Sequence, residues 1–154
     1  MDSVVAAAQL LGVALDEKQR SQFQRYRELI ELRSKQFNLT GHKTWEKIRE
    51  ELFIRSLRVL SPAGGNVSTQ EWFAGKRAID IGTGAGIPGM VMKIALPQLQ
   101  ITLLDSTQKK TNFLIEVVNE LELNGLEVIT GRAEDLGQEW GHRESYDLVV
   151  ARAV

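Results

Sequence analysis

Cysteine is absent from this 154-residue chain. No disulfide can form and no thiolate can hold a metal, so cysteine usage leaves the redox compartment open. Long apolar runs are missing as well. The first, Val4 to Ala8, stops after five residues, and Met1-Asp2-Ser3 carries no basic cluster. A signal peptide and a membrane span are therefore not expected, and the cytoplasm is the default location. Prolines number only three, Pro62, Pro88 and Pro97, and each falls at an expected element boundary. The two histidines, His42 and His142, sit in loop contexts without a second ligand, so no metal centre is expected. Charge of one sign is lacking too. Nineteen basic and twenty acidic residues leave a net charge of −1, which makes no global case for nucleic-acid binding. Seven of the eleven arginines (20, 25, 27, 33, 49, 55 and 58) nevertheless crowd the first half. They read either as a phosphate-binding face or as solvated helix surface. The second reading is preferred because Glu28, Glu31, Glu46, Glu50 and Glu51 are interspersed.

What is present is a change of period near residue 76. Before it, Val4, Val5, Ala8 and Leu11 predict a short helix closed by Gly12. Asp16 caps a second helix carrying Phe23, Tyr26, Ile30 and Phe37, broken at Asn38-Leu39-Thr40-Gly41. Thr44 caps a third with a buried stripe of Trp45, Ile48, Leu52, Leu57 and Leu60, and residues 61–75 read as a linker. After it, strands over 77–81, 101–104, 127–130 and 146–151 alternate with helices over 88–95 and 107–121 and a short turn at 133–136. Such alternation predicts the α/β class with a parallel, Rossmann-like sheet. Two segments follow: 1–75 helical, and 76–154 ligand-binding. The sheet is expected to be incomplete, ending directly after a fourth, apolar strand with an unpaired edge, as in a truncated chain.

The densest signal is Ala78-Ile-Asp-Ile-Gly-Thr-Gly-Ala-Gly-Ile-Pro-Gly89. A short apolar strand delivers Asp80 into a loop with glycines at 82, 84, 86 and 89, followed by a helix with Pro88 at its start. Glycines let the backbone turn sharply and approach a ligand, which fits a nucleotide-type cofactor. A carboxylate at the strand end repels a pyrophosphate and attracts the ammonium group of S-adenosylmethionine. The expected cofactor is therefore S-adenosylmethionine and the expected class a methyltransferase. Gly84, Gly86 and Gly89 also satisfy the Gly-x-Gly-x-x-Gly pattern of NAD enzymes, so an NAD-binding oxidoreductase is the alternative, and a non-catalytic binding fragment a third.

Strand ends supply the remaining candidates. Gly82 and Ile87 flank the first turn. Asp105 ends the second strand, 23 residues after Gly82, where an acid accepts both ribose hydroxyls. Ser106 and Thr107 follow it as pocket-lining helix caps. The backbone near Ala133 and the Glu134 side chain are placed to read an adenine edge, or else are surface acids at a turn. Arg152 leaves the fourth strand as a site residue, or as a salt-bridge partner at the sheet edge.

Asp80-Ile-Gly-Thr-Gly-Ala-Gly-Ile-Pro-Gly89, Thr102-Leu-Leu-Asp-Ser106, Phe113-Leu114, Arg132-Ala-Glu-Asp135, Ala151-Arg-Ala153 and Asn38-Leu-Thr40 together resemble the bacterial small-subunit rRNA guanine-N7 methyltransferases, the RsmG/GidB family. The resemblance runs through the whole chain. It implies methylation of 16S rRNA, free or in a small-subunit precursor, with cofactor contacts on Gly82, Ile87, Asp105, Ser106, Thr107, Ala133, Glu134 and Arg152. One departure stands out: where the family has His-x-x-Asp-Ser-Leu, this chain has Leu52-Phe-Ile-Arg-Ser-Leu57. The implied chemistry requires no general base, because guanine N7 holds an in-plane lone pair, and no catalytic residue is assigned.

Overall fold

A computed structural model describes residues 1–62 and 65–152; Ala63 and Gly64 of the expected linker, and Ala153 and Val154 of the closing motif, lie outside the described residues. Helix α1 (Asp2–Leu10) ends as expected at Gly12. A φ of +76° there lets the Gly12 and Val13 amides donate back to Gln9 and Ala8 carbonyls. Helix α2 (Glu17–Ser34) opens on a capping box: the Asp16 side chain accepts from the Gln19 amide and the Gln19 side chain from the Asp16 amide. It ends before Phe37, because the Gln36 and Phe37 amides both fold back onto the Arg33 carbonyl in a tightened last turn.

Helix α3 occupies 45–60 with Thr44 as its cap, its hydroxyl accepting from the Lys47 amide at 3.4 Å. Between short α-helical turns its middle, Ile48–Ile54, is π-helical, and it closes in a 3-10 turn, Arg58–Leu60. The wider turn adds Phe53 to the core beside the expected Ile48, Leu52, Leu57 and Leu60, whereas the expected Trp45 is only half-buried. The stretch 61–75 is not all linker. Helix α4 (Thr69–Phe73) forms there on a second capping box, Ser68 with Glu71, a signal outweighed in the sequence by nearby glycine and proline.

Strands β1 (Arg77–Ile81), β2 (Gln100–Asp105), β3 (Leu126–Thr130) and β4 (Leu148–Ala151) form one sheet in the order β3-β2-β1-β4. All pairs are parallel; Asp80 is level with Leu103 on one side and Val150 on the other. Alternation divides the strands between two faces. Ala78, Ile101, Leu103 and Val150 share one apolar core with α1–α3, α5 (Gly89–Ala95) and α6 (Gln108–Glu120). The other face carries a small cluster of Ile79, Leu104 and Leu136, the last from α7 (Ala133–Leu136). Two buried polar side chains brace α5. Gln19 donates from α2 to the Ile94 and Ala95 carbonyls at 2.9 and 3.0 Å, satisfying orphan acceptors at the helix end. Lys93 donates to Pro97 and Leu99 carbonyls at 2.7 and 2.6 Å, and burial pushes its ammonium below the ordinary lysine range.

The arginine-rich first half resolves largely into ion pairs. Arg25 meets Glu28 and Glu120, Arg27 meets Glu31, Arg33 meets Glu116, Arg49 meets Glu50, and Arg55 meets Glu51. Such half-exposed pairs contribute about 0–1 kcal/mol each, so they matter more for consuming charge than for stability.

Candidate functional site

Strand order reverses beside β1: β2 and β3 step away on one side and β4 returns on the other. At such a switch point the loops leaving the strand C-termini diverge and open a crevice. The loop after β1 lies there, with Gly82, Gly84 and Gly86 at φ +67°, +59° and +94°. Those angles are cheap only for glycine. Beside Gly84 no heavy atom lies within 4 Å of where a Cβ would stand, so its backbone faces open space.

Two carboxylates hold this loop. Asp80 is wholly buried; one oxygen accepts from the Thr83 hydroxyl and the Gly89 amide, both at 2.7 Å. Its other oxygen has no partner among the described residues. Burial raises its pKa from 3.8 to about 6, the two hydrogen bonds opposing that rise. Asp105, also buried, accepts from the Gly84 amide at 2.8 Å through one oxygen and from the Thr107 amide at 2.9 Å through the other. A carboxylate offers about four acceptor positions, so two remain for ligand hydroxyls. The spare capacity of Asp105 and the open backbone at Gly84 suit a ligand with a diol, and the buried Asp80 carboxylate beneath them favours one with a cationic end through its charge rather than by contact.

The proton on Asp80 has a measurable consequence. Because the folded state holds it more tightly than the unfolded chain, Asp80 adds stability below pH 3.8 that is lost as pH rises through about 6. The shift corresponds to about 3 kcal/mol. Between pH 4 and 7, wild type should lose most of that, about 2 kcal/mol, relative to Asp80→Asn, measured by urea unfolding. Parallel curves for the two proteins would contradict a desolvated carboxyl.

The other candidates follow the carboxyl ends of the parallel strands, on the same edge of the sheet. Gly82 is exposed at the end of β1 and Ile87 is buried at the loop's far end. Ser106 and Thr107 are exposed, and Thr107 stands at the N-cap of α6 without a side-chain cap bond. The expected capping role is therefore corrected: Asp105 captures the Thr107 amide instead. Ala133 is half-buried and Glu134 exposed in the single turn of α7 after β3. Arg152, half-buried after β4, makes no sheet-edge salt bridge among the described residues; its guanidinium donates to the Glu51 carbonyl of α3 at 2.7 Å. Arg152 also borders a cleft of about 550 Å³ with Arg55, Ser56 and Pro88.

Two residues of the site were not legible in the sequence. Glu51 contributes a backbone carbonyl, for which side-chain identity is no signal. Tyr26 was read as one of α2's apolar residues, yet its hydroxyl reaches the Ala85 carbonyl in the glycine loop at 2.6 Å. Its only signal was a phenol in an otherwise apolar stripe. Among the described residues no group of three or more histidine or acidic side chains is arranged to hold a metal. No helix among them is long and apolar enough to cross a membrane.

Comparison with known proteins places this arrangement. A family model described as GidB, rRNA small subunit methyltransferase G, matches residues 19–154. The ribosomal RNA small subunit methyltransferase G of Leuconostoc citreum is 40% identical over 157 residues, covering 100% of this chain and 62% of that protein. Its counterpart in Clostridium botulinum is 41% identical over 146 residues, covering 94% and 57%. The chain thus spans about three fifths of the length of these relatives. Among solved structures, a putative protein-L-isoaspartate O-methyltransferase from Plasmodium falciparum, in complex with S-adenosyl-L-homocysteine, superimposes with a TM-score of 0.51. At 15% identity, over 97% of this chain and 71% of that one, this likeness is one of fold.

Proposed function

The chain belongs to the GidB family of rRNA small subunit methyltransferase G proteins, and from that premise we propose that it binds S-adenosylmethionine and methylates N7 of a guanine in 16S rRNA. The observation that carries this reading is the pair of carboxylates at the switch point, Asp80 beneath the glycine loop and Asp105 across it. In this reading residues 76–154 supply the cofactor site, and residues 1–75 brace it and face the RNA or the precursor subunit.

When bound, S-adenosylmethionine supplies an electrophilic methyl group on a sulfonium. The chain's residues bind and orient. Asp80 sets a negative potential under the loop that favours a cationic ligand. Asp105 accepts the ribose hydroxyls in its two remaining positions. Gly82 and Ile87 shape the near wall, Ser106 and Thr107 line the second turn, and Ala133 with Glu134 faces the adenine. Arg152, tethered to α3, presents its remaining N–H groups where β4 ends. Guanine N7 attacks through a lone pair and loses no proton, so positioning and exclusion of water carry the rate. N7 lies on the major-groove edge, which the deep groove of A-form RNA hides, so the target guanine is in an opened or unpaired segment.

Calorimetric titration of the chain with S-adenosylhomocysteine, with NAD as the control, tests the cofactor assignment. Saturable binding of S-adenosylhomocysteine alone is expected. Binding of NAD alone would favour the oxidoreductase alternative and overturn the proposal. Transfer of a labelled methyl group to 16S rRNA by the protein tests the substrate, with label recovered at a guanine as the expected result.

A further inference from the structure

We propose that Tyr26, far from the loop in sequence, is a positioning residue of the cofactor site; this rests on the reading that the glycine loop binds S-adenosylmethionine. A phenol in the core must satisfy its hydroxyl or forfeit solvation, and Tyr26 is fully buried. Its ring stacks on Phe53 at 5.3 Å between centroids and 17° between planes, and Phe53 in turn contacts Phe23 and Trp45. Among the described residues the hydroxyl has one hydrogen-bond acceptor, the Ala85 carbonyl at 2.6 Å.

That carbonyl belongs to the peptide joining Ala85 to Gly86. On its other side the Gly86 amide donates to the Thr83 carbonyl at 2.9 Å. The peptide plane is therefore clamped from both ends. Gly84 and Gly86, at φ +59° and +94°, flank Ala85 and leave the loop many alternative conformations. Asp105 fixes the Gly84 amide and Asp80 the Gly89 amide. Tyr26 supplies the third restraint, and the only one of the three from the N-terminal helices. A Cβ on Gly86 would stand 3.0 Å from the Tyr26 hydroxyl, which shows how closely the two are packed. Complete burial, helped by the nearby Asp80 charge, raises the Tyr26 pKa, so the group stays a protonated donor across physiological pH. The helical segment thus completes the loop that orients the cofactor as well as covering the sheet.

Tyr26→Phe keeps the ring and removes only the donor. Titrated with S-adenosylhomocysteine well below the unfolding transition, it should bind about fivefold more weakly than wild type. Phe53→Leu disturbs the same aromatic packing without touching the hydroxyl; it should lower the melting temperature and leave the dissociation constant within about twofold. Exchange of the Gly86 amide should be faster in Tyr26→Phe than in Phe53→Leu. Equal affinity of wild type and Tyr26→Phe, or equal weakening by both substitutions, would overturn the positioning role. A wild type that fails to bind S-adenosylhomocysteine would instead overturn the cofactor assignment, so the two failures are distinguishable.

Discussion

Gly89→Ala is expected to destabilise the fold by about 3 kcal/mol, with the urea midpoint falling and the slope unchanged. Helix propensity alone argues the opposite sign, since alanine is favoured over glycine within a helix by about 1 kcal/mol. Packing decides. A Cβ at Gly89 would overlap Leu103 Cδ2 of β2 and lie 2.8 Å from an oxygen of Asp80. Leu103 is fully buried and cannot swing away. Overpacking of this kind costs about 1–3 kcal/mol. Displacing Asp80 also loosens its bond to the Gly89 amide, a charge-assisted contact worth about 1.5–3 kcal/mol. Gly84→Ala separates conformational strain from collision. Its Cβ would enter open space, and the cost is that of φ +59° for a residue with a side chain, about 1–2 kcal/mol. A Gly89 variant as stable as wild type would mean that α5 does not approach the sheet as closely as this.

Asp105→Ala should weaken S-adenosylhomocysteine binding by about 1–3 kcal/mol, or roughly 5- to 150-fold. The upper part of that range is expected, because one side chain does two jobs. In the proposed binding mode it offers acceptors to the ribose, and in the structure it holds the Gly84 and Thr107 amides at 2.8 and 2.9 Å, so both loops it braces are released when it goes. The affinity must be measured on folded protein, with unfolding followed separately, since the same two amides lose partners in the free state. Unchanged affinity would show that the ribose is held elsewhere.

The two substitutions illustrate different kinds of legibility. That Asp105 ends a strand one β-α-β step after the glycine loop follows from spacing, because strand and helix periods are local properties of the chain. The start and end of β1 and the closure of α1 at Gly12 were readable for the same reason, being set by alternation, caps and φ preferences within a few residues. Local signals misled where several competed. Gly and Pro hid the capping box of α4, and apolar spacing could not register the π turn in α3, because a wider turn still presents apolar residues to the core.

The sequence by itself determined the order of the strands and of the helices between them, the α/β class and the glycine loop with its two acids, since each rests on sterics or period over short stretches. Only the tertiary structure decided what those groups touch. It buried Asp80 and raised its pKa, turned Asp105 onto the loop backbone, and brought Tyr26 to Ala85 and Arg152 to Glu51, pairs separated by 59 and 101 residues. Desolvation and hydrogen bonds between distant segments depend on how helices seat on a sheet, and no period in the chain encodes that.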